Sequence, residues 1–404
     1  MLLNEAKIVF ILNVCLLNVV SSISSKYFLC YLLCSHESLD IQQILKKIFS
    51  ELNCKFSNIV SKDLIGIDSC VKEVLDLYLD EGLGGVRFVG ICGMGGMGKT
   101  TLAQEIFKRI SNNFEASSFI DNVREETRNQ GLVSLQKQLL SKILMESEIK
   151  IWNFLEGINV IGNKLRNIKV LIVLDDVDGE EQLEALAGNH DWFGPGSRII
   201  ATSRDSHVLR RRGMDFIYTV NGLNDDDALE LFSWSAFKKL HPEENYVDLS
   251  KDFVNYANGL PLALKVLGSL LFDKEIDEWK SARDKLKAEP DRKILNILKI
   301  SYDGLMNTQR DLFLDIACFF KGKNKDCIRD IITSFGYYPE YNIGVLIDKS
   351  LITINEEGTI WMHDLLQEMG QEIVRQESPK ELGGRSRLWL YKDVLYVLKN
   401  NTVS

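Results

Sequence analysis

Residues 90–107 read GICGMGGMGKTTLAQEIF, five glycines and one lysine set between an apolar run and an amphipathic one. Within the stretch, Gly93 to Thr100 fit the pattern G-x-x-x-x-G-K-[ST]. Upstream, Val86-Arg87-Phe88-Val89-Gly90-Ile91 is short and β-prone; downstream, Leu102, Ile106 and Ile110 recur at helical spacing. Strand, glycine loop and helix in that order leave few folds open and predict a phosphate-binding loop in an α/β sheet. A phosphate chain carries several negative charges and is held by backbone N–H groups that point inward. Glycines allow the tight curvature and positive φ that aim those groups, and the following helix adds its own N-terminal N–H groups and dipole. Lys99 would bridge the terminal phosphates and the Thr100 hydroxyl would bind Mg²⁺. A glycine-rich turn that binds nothing is the plainer alternative, but the lysine, the threonine and the flanking elements all argue against it.

Mg²⁺ beside a phosphate also needs a carboxylate at the C-terminal edge of a strand. KVLIVLDDVD (169–178) supplies one, and its apolar run Val170 to Leu174 reads as a central parallel strand buried on both faces. Asp175 would orient the Mg²⁺ water shell, and Asp176 would polarise or position an attacking water, as the candidate catalytic group. GSRIIATSRD (196–205) gives another β-run ending at Arg204, which fits either a γ-phosphate sensor or a surface ion pair. Strands near 86–91, 117–121, 169–175, 197–202 and 216–220 alternate with helical stretches, the rhythm of a three-layer parallel sheet. After about residue 222 the pattern turns helical. DDDALELFSWSAF opens on acidic residues, Pro261 starts an apolar helix, and DLFLDIACFF (311–320) reads as a buried helix. Residues 345–374 predict a helix, a hairpin around Glu356-Glu357-Gly358 and a second helix, a winged-helix pattern. The expected fold class is therefore α/β: a P-loop NTPase three-layer parallel-sheet domain, then a helical subdomain and a winged-helix subdomain.

At 404 residues the chain is long enough for two to four domains, and 45% hydrophobic with 26% charged residues indicates an ordered globular protein. A net charge of -9 opposes a nucleic-acid protein driven by a basic surface, so no nucleic-acid partner is expected of the winged helix. The 8 cysteines form no C-x-x-C pair, which suits reduced thiols in a cytoplasmic setting. KIVFILNVCLLNVVSSISS near the N-terminus is like a signal-peptide core but short for a membrane span, and Asn13 and Asn18 interrupt it. It is read as a buried or partly ordered helix or a gene-prediction artefact ahead of a signal or anchor, and a cytoplasmic location is expected. A membrane partner follows only if it is a signal or anchor.

In order, GMGGMGKTT, FEASSFIDNVRE, KVLIVLDDVD, GSRIIATSRD, LELFSWSAF, GLPLAL, FLDIACFF and MHDLLQEMG resemble the NB-ARC module of plant nucleotide-binding leucine-rich-repeat immune receptors. NVRE (122–125), Asp178 and FLDIACFF look like the TIR-type branch, and the similarity runs from about Ser38 to the C-terminus. The resemblance implies an ADP-bound closed state that opens and oligomerises when ATP replaces ADP, giving a switch in plant defence signalling with at most slow ATPase activity. It implies nucleotide contacts from Ile65, Gly93, Gly95, Gly96, Gly98, Lys99, Thr100, Thr101, Arg204, Pro261 and His363. Mg²⁺ would sit on Thr100 and Asp175, and Asp364 would brace His363 against the ADP β-phosphate. On its own MHD could equally be a helix start, since Asp364 suits a first turn.

The expected organisation is an unassigned segment 1–37, a linker helix 38–62, a nucleotide-binding domain 63–221, a helical subdomain 222–296, a winged-helix subdomain 297–378 and a repeat lead-in 379–404. Neither a TIR domain nor leucine-rich repeats are recognised, so TIR activity on NAD⁺ is not assigned. The expected partners are nucleotide and other receptor chains. A non-catalytic fragment acting as adaptor, decoy or regulator of longer receptors is the alternative, and a high-turnover hydrolase ranks third for want of an arginine finger.

Overall fold

The computed structural model describes residues 64–400 apart from 80–83, 147, 289, 335 and 337, all within the compact unit Ser61–Ser404. The apolar N-terminal segment and the expected linker helix lie outside the described residues. Helix α1 (Ile67–Val74) runs into a π-helical turn, Leu75–Leu79, and precedes β1 (Arg87–Cys92), the glycine loop and α2 (Lys99–Ile110). There follow β2 (Ala116–Ile120), α3 (Val123–Gln130), α4 (Leu132–Leu144), α5 (Phe154–Leu165), β3 (Val170–Val177), α6 (Glu180–Ala187), β4 (Arg198–Ser203), α7 (Ser206–Arg211) and β5 (Phe216–Thr219). The five strands form one parallel sheet in the order β2-β3-β4-β1-β5. Val170 to Leu174 are wholly buried, because helices cover both faces of β3. Phe88 of β1 lies beside Ile199 of β4 and Cys92 beside Ser203, so the ends of both strands meet at the glycine loop.

Helices α8 (Asp225–Phe237), α9 (Val247–Ala257), α10 (Pro261–Leu271) and α11 (Ile276–Ala288) come next. The Asn224 side chain caps α8 by accepting from Asp227 N, and Pro261 occupies the first turn of α10, where its missing N–H is no loss. Trp279 is the centre of an aromatic cluster with Phe232, Phe237, Tyr246 and Phe253, and its Nε1–H donates to Leu271 O at 3.1 Å.

The last part holds α12 (Arg292–Asp303), α13 (Asn307–Asp315), α14 (Lys325–Ser334), α15 (Pro339–Asp348), the antiparallel pair β6 (Thr353–Ile354) and β7 (Ile360–Trp361), α16 (Asp364–Glu377) and α17 (Tyr391–Asn400). One continuous apolar core joins α12–α16 to α8–α11. The single buried helix expected over 311–320 is instead α13 followed by a π-helical turn, Ile316–Phe320, that leaves Phe319 43% exposed. Gln367 and Gln371 of α16 donate side-chain amide N–H groups to Ala317 O at 3.1 and 3.3 Å, which gives a carbonyl of the widened turn its partners. No helix among the described residues is long and apolar enough to cross a membrane.

Candidate functional site

The glycine loop is tight because other parts of the chain press on it. A Cβ on Gly95 would lie 2.8 Å from Arg204 Nη1 and 3.2 Å from Ile297 O, and Gly96 has φ +82 with Leu262 Cβ 2.7 Å from where its own Cβ would be. Lys99 begins α2 and is 7% exposed. Its ammonium donates to Gly93 O at 2.7 Å and Met94 O at 2.8 Å. Burial first, and then the charge of Arg204, lower its pKa to about 8. Thr101, on the first turn of α2, is half-buried.

The acidic pair ends β3. Thr100 Oγ1 donates to the buried Asp175 carboxylate at 2.9 and 3.0 Å, and Thr202 Oγ1 donates to Asp175 Oδ1 at 2.7 Å. Burial raises the Asp175 pKa, while both threonine hydroxyls oppose the rise. Between Leu174 and Val177 the β3–β4 register shifts, and Asp176 in that bulge adopts φ +55. Its N–H donates to Thr202 Oγ1 at 2.8 Å. Asp176 Oδ2 pairs with Arg124 Nη2 at 2.9 Å and Oδ1 with Arg204 Nε at 3.4 Å. Arg204 also donates from Nη1 to Ile297 O of α12 at 2.9 Å. Beyond Asp176 opens a cavity of about 470 Å³, lined among others by Arg124, Arg128, Arg204, Ser301 and Lys349.

A second chain of contacts runs through Asn258, whose left-handed backbone turns the chain from α9 toward Pro261. Leu262 N donates to Gly96 O at 3.2 Å, so the start of α10 rests on the loop. His363 Nδ1 accepts from Leu365 N at 3.2 Å, capping α16, which leaves Nε2–H to donate to Asn258 O at 3.0 Å. Burial lowers the His363 pKa. Asp364 accepts from Asn258 Nδ2 at 3.0 Å and from Lys321 Nζ. His363 and Asp364 thus both bond Asn258, one at its carbonyl and the other at its side-chain amide. Ile65 packs at the edge of the helical core, and Gly66 beside it faces Leu223 and Asp227.

The structure thus gathers Gly95, Gly96, Lys99, Thr100, Asp175, Asp176 and Arg204 at the C-terminal ends of β1, β3 and β4, with Pro261 one residue from the loop contact. Asp175 and Thr100 form an oxygen pair that suits a hard cation such as Mg²⁺, and the glycine loop offers a backbone cradle, so the donor set fits a nucleotide with its metal. Arg124 and Thr202 also join the site, contacting Asp176 and Asp175, although no motif spacing marks them. They lie within NVRE and ATSRD.

Residues 67–241 match the NB-ARC domain, and residues 306–378 match the winged-helix domain described as disease resistance protein Roq1-like. The chain is 46% identical over 369 residues to TMV resistance protein N of Nicotiana glutinosa, which covers 90% of this chain and 32% of that protein. It is 46% identical over 356 residues to disease resistance protein RUN1 of Vitis rotundifolia, covering 88% of this chain and 26% of that one. Against disease resistance protein RPP2B of Arabidopsis thaliana the identity is 38% over 362 residues, covering 90% and 30%. The chain spans no more than about a third of the length of these relatives.

Proposed function

Residues 67–241 belong to the NB-ARC family and residues 306–378 to the Roq1-like winged-helix family, and from that premise we propose that the chain is the ADP/ATP-binding switch of a plant cytoplasmic immune receptor. The carrying observation is that the phosphate loop is touched from outside the α/β sheet: Leu262 of α10 bonds Gly96, and Arg204 beside Gly95 holds Ile297 of α12. A ligand shifts such an arrangement only through contacts that differ between its two forms. Gly93, Gly95, Gly96, Gly98, Lys99 and Thr101 hold the phosphates, with Thr100 and Asp175 on Mg²⁺. The metal neutralises phosphate charge. Ile65 and Pro261 flank the adenine, and His363, steadied through Asn258 and Asp364, favours ADP. Arg204, now bonded to Ile297 O, would hold a γ-phosphate instead; with α12 released, the nucleotide-binding (63–221), helical (222–296) and winged-helix (297–378) parts would separate and meet other receptor chains.

The test is to purify the chain, denature it and identify the released nucleotide by chromatography. Near-stoichiometric ADP is expected from the wild type and little from K99M. A wild-type protein that emerges empty and also fails to take up added ADP or ATP would sink the proposal.

A further inference from the structure

We infer that Arg124 is a positioning residue that holds Asp176 out of use as a water-activating base, so that ATP is bound without rapid turnover. The inference rests on the nucleotide-switch reading and concerns the regulation of that same site. In hydrolysis a water oxygen bonds the γ-phosphorus and the bond from that phosphorus to the β,γ-bridging oxygen breaks, its electron pair leaving with ADP. The water's proton passes through a base to solvent, giving phosphate. A carboxylate serves as that base only if it offers the water an oxygen.

Asp176 is restrained at its N–H and at both carboxylate oxygens. Its N–H is held by Thr202, its φ of +55 within the β3 bulge fixes the direction of the side chain, Oδ2 is held by Arg124 and Oδ1 by Arg204. The two arginine side chains are only 10% and 19% exposed, so solvent does not readily replace them. Arg124 itself is anchored, following a left-handed Asn122 and the fully buried Val123 on the first turn of α3, which packs on β3. The two clamps differ in what they are tied to. Arg204 also grips Ile297 O and is exposed to any movement of α12. Among the described residues, the charged partners of Arg124 are Asp176 and the neighbouring Glu125, both in the α/β part. Opening of the molecule frees Oδ1 from Arg204, but Arg124 keeps Oδ2 and with it the orientation of the carboxylate; Asp176 cannot turn Oδ1 to meet the water, so the restraint on hydrolysis persists after ATP has bound and the ATP form is long-lived.

Single-turnover ATP hydrolysis by the full chain compares wild type, R124Q, R124K, D176N and R124Q/D176N, with R124M, which keeps the buried stem, replacing R124Q if that variant does not fold. R124Q is expected to raise the rate about tenfold, a fraction of what a free general base supplies. R124K, restoring a cation, returns most of the restraint, and D176N abolishes the gain. Dissociation constants for ADP and for a non-hydrolysable ATP analogue stay within about twofold of wild type, as expected for a group that faces Asp176 rather than the phosphates. ATP-loaded R124Q yields a higher ADP fraction on denaturation after a fixed delay. A rate in R124Q at or below wild type, or a gain that survives D176N, overturns the inference. Failure of the wild type to bind either nucleotide in the same titrations overturns the switch reading beneath it.

Discussion

Lys99 donates hydrogen bonds to two carbonyls of its own loop, in a site dry enough to bring its pKa to about 8. A phosphate placed beside it favours the charged form, so binding takes up a proton whenever the free protein holds Lys99 neutral. The sign follows: ADP affinity is highest below pH 8 and weakens as pH rises through it, by about tenfold at pH 9 if the bound lysine stays protonated. Calorimetric titration at pH 7 and 9 in buffers of different ionisation enthalpy measures both the loss and the proton uptake; a flat profile refutes the assignment of Lys99 to the phosphates. Lys99, Thr100 and Asp175 were legible in the sequence because a short motif carries its own spacing. Arg124 and Thr202 were not, because their roles arise only when α3 and β4 are laid beside β3 and their side chains reach the acidic pair. Nothing in the linear spacing of NVRE and LDDVD places Arg124 against Asp176.

Elements were legible in proportion to their burial. The continuous apolar run of β3 named a central strand, and Pro261 marked the first turn of α10. DLFLDIACFF reads as one helix because its composition is uniformly apolar, and the π-helical turn after Asp315 depends on glutamines of α16 that lie 50 or more residues downstream. The start of α16 is a case where one residue serves two elements: His363 caps it and also bonds the turn after α9. Protonating Nδ1 destroys the cap. Since burial lowers the His363 pKa in the folded state, the unfolded chain binds that proton more readily, and stability is lost as pH falls below 6.5 toward the folded value. Between pH 7.5 and 5.5 the wild type should lose more melting temperature than H363N, which keeps a capping oxygen and does not titrate. H363A should lose about 1 kcal/mol of stability at neutral pH. Equal pH slopes for wild type and H363N would show that His363 does not carry the effect.

Across the whole molecule the α/β part meets the winged-helix part along the strip just after Arg204. Asp205 pairs with Lys349 at 2.8 Å, Arg210 pairs with Asp348, Ser206 Oγ donates to Asp348 at 3.4 Å, and His207 Nδ1 lies 3.6 Å from the same carboxylate. Buried Cys92 sits beneath this seam, its Sγ 3.7 Å from Ser350 Oγ. A partly exposed ion pair contributes on the order of 1 kcal/mol, about fivefold in an opening equilibrium. D348R should therefore speed alkylation of Cys92, read by peptide mass spectrometry, several-fold over wild type, and R210D/D348R should restore the slow rate. A double variant as fast as D348R alone would mean that the pairing does not hold the seam. None of this seam was visible in the sequence, where RDSHVLR and LIDKS are ordinary polar stretches. Its charges have one consequence for assembly. At neighbouring positions the polarity is inverted, an acid on the sheet side facing a base at Lys349 and a base facing an acid at Asp348. Sliding either surface by a single residue sets Asp348 against Asp205, like against like. The two parts therefore match their charges in this alignment and lose the match one residue away, as a key has one depth at which its teeth clear the pins.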